Sequence, residues 1–321
     1  MLRLIGSRLL ISVPVLFCVS VISFTLLRLA PGDPARLRAG LDASPEVVQA
    51  TRERLGLDRN VFVQYFDWLG GLFQGDLGTT YGSGAPVTEL IGDRFPVTLQ
   101  LAIVAMLITV LVGIPLGVAA AVWKDSLADH AVRFISLVGM SVPGFVVGLG
   151  FVFAFGWYWP NVMPYSGFVR FTEDPAASLQ HTILPAIALA LPPIALVARM
   201  TRASLIETLN QDYIESARAS GVNGIAIVWV DALRNALLPV VTILGVITGT
   251  TLGGSVVVET VFGIPGMGSL LIDSFESRDY PIVIGVLLLV ATVFVVINLL
   301  VDVLYGVLNP RIRAGYEGAS R

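Results

Sequence analysis

The chain has 321 residues, of which 13% are charged and 55% apolar, with 20 Lys or Arg against 23 Asp or Glu and a net charge of -3; an ordinary soluble domain carries about 25% charge. Every one of those charges falls outside six windows, 9–27, 95–123, 134–169, 175–198, 235–258 and 280–301, and about 20 apolar residues suffice to cross a hydrocarbon core about 30 Å thick. This excludes a soluble globular enzyme, a disordered chain and a nucleic-acid binder, and predicts an all-α integral membrane protein with six transmembrane helices.

The first window follows Arg3 and Arg8 and ends at Arg28-Leu29-Ala30-Pro31. It is longer than the roughly 7–15 apolar residues of a signal peptide and lacks an A-x-A site, so it reads as a retained transmembrane anchor, 1–30. Residues 31–94 then form a small helical domain. Ser44-Pro45-Glu46 predicts a helix N-cap with proline at its first position, a second helix is expected from Val61 to Phe73, and Gly75, Gly78, Gly82 and Gly84 lead back to the membrane. The third window is long, but two helices and a turn would need more than about 40 residues, so one span is predicted. Trp157, Tyr158 and Trp159 would stand at its far end as an interfacial aromatic belt. In the fourth, Pro185, Pro192 and Pro193 suggest kinks; in the fifth, Gly245, Gly249, Gly253 and Gly254 suggest close packing.

Six spans place both termini on one side. The connecting segments on that side carry Arg3, Arg8, Lys124, Arg133, Arg199, Arg202, Arg218, Arg234, Arg311, Arg313 and Arg321, whereas the two short opposite loops carry Arg170 and Arg278. Positive charge in short loops marks the cytoplasm, so both termini are expected there and the 31–94 domain outside. The remaining divisions are a core at 95–305, with a cytoplasmic loop at 200–238, a glycine-rich outer segment at 259–280, and a cytoplasmic tail at 306–321.

The 200–238 loop is the most informative segment. Asp212-Tyr213-Ile214-Glu215 has the form of a capping box, with Asp212 as N-cap and Glu215 reaching back to its amide. Ser216-Ala217-Arg218-Ala219-Ser220 continues a short helix of small residues, and Gly221 ends it as a C′ glycine does. Gly224 opens a further helical stretch in which Ile225, Val228, Trp229 and Ala232 fall on one apolar face, before Pro239 starts the fifth span. Such a helix can insert into a groove on another protein, or it can be an ordinary structured loop.

Glu215-Ser216-Ala217 with Gly221 resembles the E-A-A-x-x-x-G docking motif of ABC importer permeases. Pro31-Gly32-Asp33-Pro34, Gly75-Asp76-Leu77-Gly78, Arg94-Phe95-Pro96-Val97-Thr98-Leu99, Gly253-Gly254-Ser255-Val256, Phe262-Gly263-Ile264-Pro265-Gly266-Met267-Gly268 and Arg278-Asp279-Tyr280-Pro281 are similar to the dipeptide/oligopeptide/nickel branch of that family. The family's I-x-L-P tail is not matched at Asp231-Ala232-Leu233-Arg234, but Ala232-Leu233-Arg234-Asn235-Ala236-Leu237-Leu238-Pro239 fits the branch. The resemblance implies a type I ABC importer permease fold and a binding-protein-dependent importer of short peptides in a bacterial inner membrane. It implies a second homologous permease, two ATPase subunits or domains and an extracytoplasmic substrate-binding protein as partners. Asp212, Tyr213, Glu215, Ala217, Arg218, Ala219 and Gly221 would then form the ATPase-coupling loop. Nickel chelates, glutathione and haem are alternative cargoes for this branch.

No catalytic or cofactor site is expected in the chain itself. A P-loop requires a lysine after glycine, and the sole lysine lies in Val122-Trp123-Lys124-Asp125, so ATP and Mg belong on partner subunits. Cys18 stands alone, and His130 and His181 offer no metal-ligand spacing. Asn298, Asp302 and Tyr305 share one face of the sixth helix, as interhelical hydrogen-bonding groups or as pathway residues. A stand-alone secondary transporter would carry ionisable residues at mid-membrane; the six windows contain no Asp, Glu, Lys or Arg.

Overall fold

A computed structural model describes residues 2–29, 33–40 and 42–308, excluding the side chains of 2–5, 7–9, 26–29, 302 and 304–308. The helices are α1 (Leu2–Leu29), α2 (Pro34–Ala39), α3 (Pro45–Arg54), α4 (Val61–Phe73), α5 (Val87–Val122), α6 (Leu127–Ser141), α7 (Gly144–Phe153), α8 (Pro175–Leu209), α9 (Asp212–Ala219), α10 (Gly224–Ala226), α11 (Leu233–Phe262), α12 (Met267–Glu276) and α13 (Tyr280–Leu308). Among the described residues the one extended pairing is an isolated bridge, Thr79 to Pro86.

Among the described residues four helical runs are long and apolar enough to cross a bilayer: Val87–Val122, Pro175–Leu209, Gly224–Phe262 and Tyr280–Val301. Helices α6 and α7 pass the same test only when taken together, and they meet at 91°, as the halves of a broken span or of a re-entrant loop do. The one span expected through 134–169 is therefore a bent pair of helices and not a single one. The cause is local: Pro143 cannot donate to the ladder, and it forces Val142 into extended backbone at φ -94°, ψ 119°. Trp157, Tyr158 and Trp159 are exposed at the end of the π turn Ala154–Tyr158 that follows α7. In α1 the apolar stretch is Leu10–Thr25. Pro185, Pro192 and Pro193 do not break α8, which runs unbroken for 35 residues.

The chain forms two compact units, one of 10–98 and 265–293, the other of 1–9, 99–264 and 294–321. In the first, α2 is capped by Asp33, which accepts from the Ala35 amide and also pairs with Arg52 at 2.6 Å, joining α2 to α3. Ser44 occupies the N-cap of α3 with Pro45 behind it, but its side chain makes no capping bond. Helix α4 is fastened to α1 by Tyr65, whose hydroxyl lies 2.7 Å from Ser20 Oγ and whose ring meets Phe24 edge-on at 5.3 Å. The stretch after α4 is held by a distant residue. Asp279 accepts from the amides of Tyr81 at 3.0 Å and Gly82 at 3.4 Å, and its burial pushes the carboxyl above its usual range. Beneath lie Val87, Ile91, Met267, Leu270, Ile282 and Val286, so the 31–94 segment shares a core with 265–293.

The second unit is built around α8. Three helices approach it through glycines. On α5, a Cβ at Gly117 would stand 2.6 Å from the Ala198 carbonyl oxygen, and one at Gly113 3.0 Å from Val197; at Gly144, the first residue of α7, it would stand 2.6 Å from the Ala188 carbonyl oxygen, and at Gly139 of α6 3.3 Å from Ala195. Small residues at this spacing let helices pack backbone to backbone where no hydrophobic drive separates protein from lipid. Gln100 adds polar ties, donating to Ser178 Oγ at 2.8 Å and Thr182 Oγ1 at 2.9 Å. Of the expected packing glycines on α11, Gly245 meets Val301 and Gly249 meets Phe294, whereas Gly253 has open space and Gly254 makes an ordinary contact.

Asp129 is fully buried and is gripped by Arg202, with Nε to Oδ1 at 2.6 Å and Nη2 to Oδ2 at 2.7 Å. A third bond comes from the Asp125 amide, which donates to Oδ2 at 3.0 Å.

Two outcomes follow from this packing. Gly117→Leu should lower the melting temperature in detergent by several degrees, the overpacking cost being about 1–3 kcal/mol or more, while Gly253→Ala should leave it unchanged or raise it.

Candidate functional site

The site is assembled where α8 ends and α11 begins. Asn210 closes α8, and Gln211, in extended backbone, is the N-cap of α9 with no side-chain capping bond. The expected capping box at Asp212 and Glu215 is therefore corrected. The amides of Ile214 and Glu215 go to the Gln211 carbonyl at 2.9 and 3.3 Å, so Asp212 is the first helical residue and Glu215 lies one position too far along. Their charges still suit the positive end of the helix dipole, as Arg218 suits the other end.

The C-terminus forms as expected. Gly221 sits at φ +78°, a conformation glycine adopts without a Cβ penalty. Its amide donates to Arg218 O at 3.0 Å and that of Val222 to Ala217 O at 3.2 Å, which together make a Schellman motif. Asn223 then accepts from the Ile225 amide at 2.8 Å and starts α10.

One residue seats the helix. Ile214 is fully buried among Val118, Leu205, Ile227, Leu233 and Ala236, with Ala217 packed beside it. Burying such a side chain is worth about 1.5–3 kcal/mol. Asp212, Tyr213, Glu215, Arg218, Ala219 and Gly221 are exposed. Of the seven predicted coupling residues, six are thus on the free surface and Ala217 faces inward. Tyr213 is steadied by Asn235, whose Nδ2 donates to its hydroxyl at 2.9 Å; nothing local in the sequence marks that partner.

The apolar face predicted for the next stretch is also corrected. Ile225 and Trp229 are exposed, while Ile227, Ala232, Leu233 and Ala236 are buried. A π segment, Ile227–Ala232, lies between α10 and α11; its wider turn shifts every later side chain by about one position relative to a 3.6-residue period. The helical run therefore continues through Pro239, which lies inside α11 and does not start it. Val222, Ile225 and Trp229 form an exposed apolar patch beside α9 that the 3.6 period conceals. The sole lysine, Lys124, rims a cavity of about 600 Å³ with Asn210 and Arg218.

Of the other polar residues singled out, the described ones are bonded within their own helices. Asn298 donates to Phe294 O of its own helix at 2.9 Å, not to another helix; the side chains of Asp302 and Tyr305 lie outside the described residues. His181 Nδ1 is 2.8 Å from the Ala177 carbonyl, one turn back on α8. Among the described residues no group of three His, Cys, Asp or Glu is placed to hold a metal ion.

Residues 113–314 match the family model described as binding-protein-dependent transport system inner membrane component, and residues 1–102 match its N-terminal counterpart. The dipeptide transport system permease protein of Escherichia coli (strain K12) is 41% identical, covering 98% of this chain and 99% of its own. A protein of Brucella abortus (strain 2308), whose name assigns it provisionally to a peptide transport system as the permease, is 43% identical over 98% of this chain and 99% of its own. In fold, a chain of the MetNI methionine ABC transporter in an inward-facing conformation superposes with a TM-score of 0.55 at 19% identity, covering 68% of this chain and 96% of its own.

Ile214→Ala should cost about 2–5 kcal/mol of local packing and loosen α9 from its seat. Limited proteolysis should then cut within 210–224 at least ten times faster than in the wild type, with α5 and α8 still protected.

Proposed function

The chain belongs to the family of binding-protein-dependent transport system inner membrane components, and from that membership we propose that it is one permease half of an ATP-driven importer of short peptides. It pairs with a second, homologous permease, and the translocation path runs between the two. Two ATPase subunits or domains supply the hydrolysis, with ATP and Mg held on them, and a substrate-binding protein delivers the peptide from outside. The chain itself is a non-catalytic transport subunit.

The observation that carries this reading is α9. It is a short helix closed by a Schellman turn, seated by Ile214 and exposed along its outer face. It connects two helical runs long enough to cross a bilayer, Pro175–Leu209 and Gly224–Phe262. A push on its outer face is therefore delivered to both runs, which is what a coupling element needs. The peptide cargo is supported by the names of the two relatives.

The arginine distribution supports an orientation with both termini in the cytoplasm of a bacterial cell, α9 on the same side and the 31–94 domain outside. Six crossings follow if α1 spans and α6–α7 count as one. In that arrangement the 31–94 domain contacts the binding protein or the partner permease.

Reconstitution with the ATPase subunits and binding protein tests the reading. The complex should take up dipeptides only with ATP, whereas the purified chain alone should show no gradient-driven uptake. Glu215→Arg, on the exposed face, and Gly221→Trp, at the turn, should each insert normally yet lose ATPase association at least ten-fold. Uptake by the chain alone, or unchanged association in both variants, would contradict it.

A further inference from the structure

Helix α6 is attached to its own unit along a narrow line. Asp129, Ser136 and Gly139 are its buried residues, and Leu127, Phe134, Ile135, Leu137, Val138 and Met140 are exposed. Gly139 gives close approach to α8 but no direction. The directional tie is Asp129. Besides the two bonds from Arg202, its Oδ2 accepts from the Asp125 amide at 3.0 Å, its Oδ1 lies 3.5 Å from Arg133 Nε, and its own amide donates to Ser126 Oγ.

A buried ion pair is weak evidence for stability, because the desolvation of both charges offsets their attraction, and apolar replacements are often as stable. What a bidentate guanidinium–carboxylate pair delivers is geometry: two parallel bonds fix distance and rotation together. Here it fixes the start of α6 to α8 at Arg202, seven residues before Leu209 ends that helix, or roughly 10 Å along its axis. Immediately beyond lies α9. At the far end of the arm, α7 is seated on α8 by Gly144 and packs Gly148 against Phe262. The arm α6–α7 is thus pinned by charge near the loop and by glycine contacts past its 91° bend.

We propose that Asp129 and Arg202 are a positioning pair that carries displacement of the α9 loop from α8 into the bent arm α6–α7. This rests on the reading of α9 as the ATPase-coupling element. When the loop is pushed, α8 takes Arg202 with it; Arg202 draws Asp129 and the start of α6; and the arm turns at Val142–Pro143, where the helical ladder is already interrupted. A merely structural pair would be replaceable by packing, whereas a positioning pair would not.

The test uses the full complex with its ATPases and binding protein in proteoliposomes, reading ATPase co-purification, melting temperature, basal ATP hydrolysis and dipeptide taken up per ATP hydrolysed. The apolar double variant Asp129→Leu/Arg202→Met should assemble, melt near the wild type and hydrolyse ATP at the basal rate, yet lose uptake per ATP about ten-fold. Arg202→Lys keeps the charge but not the fork, and should lose it about three-fold. It provides the readout should the double variant not assemble. A wild-type uptake ratio in either assembled variant overturns the proposal. Wild-type protein that neither binds the ATPases nor takes up dipeptide with ATP would instead overturn the coupling reading on which it rests.

Discussion

Helix α8 is approached at distances that leave no room for a methyl group, and the second unit is organised by that constraint. Gly117 lies against Ala198 and Thr201, and Gly144 against the Ala188 carbonyl. Within a bilayer, association cannot draw on the exclusion of water from apolar side chains, so close backbone packing and a few polar ties must supply it. The glycines supply the first, and Gln100, donating to Ser178 and Thr182, supplies part of the second. Thirteen residues of α8 are buried in the chain, and α8 leads directly into the segment that carries α9.

A helix held so firmly along its length behaves as a rod, and the loop at its end takes its character from that. The α9 helix has eight residues, too few to be stable alone in water. It persists because Ile214 anchors one face, Gly221 and Val222 close the end, and Asn235 holds Tyr213. Asp212, Glu215, Ser216 and Ala219 take no part in that seating and stay exposed.

What could be read in the sequence was what is encoded locally. The helix from Val61 to Phe73 has the bounds its pattern predicts, Pro45 takes the first position of α3, and Gly221 ends α9 in left-handed backbone. The apolar windows located the long helices because hydrocarbon imposes a length and forbids charge. The failures share one cause, dependence on a neighbour distant in sequence or on a register that one residue upsets. Asp212 and Glu215 fit a capping box, but Gln211 takes the cap. Ile225, Val228, Trp229 and Ala232 fit one apolar face only on an unbroken 3.6-residue register, which the π segment Ile227–Ala232 interrupts. Pro143 was visible, but reading 134–169 as one helix gave it no consequence. The glycines on α5 that seat on α8, the clamp from Asp279 to Tyr81 and the pair Asp129–Arg202 join residues whose partners no local pattern names.

On the proposed function, the outer face of α9 meets the ATPase while its inner face remains seated. Disulfide or bifunctional cross-linking in the assembled complex, with Cys18 replaced, measures this directly. A thiol introduced by Ser216→Cys should cross-link to the ATPase subunit, with a yield that changes on ATP binding, while one introduced by Leu205→Cys beneath Ile214 should not. An active complex in which neither Ser216→Cys nor Ala219→Cys reaches the ATPase would contradict the account.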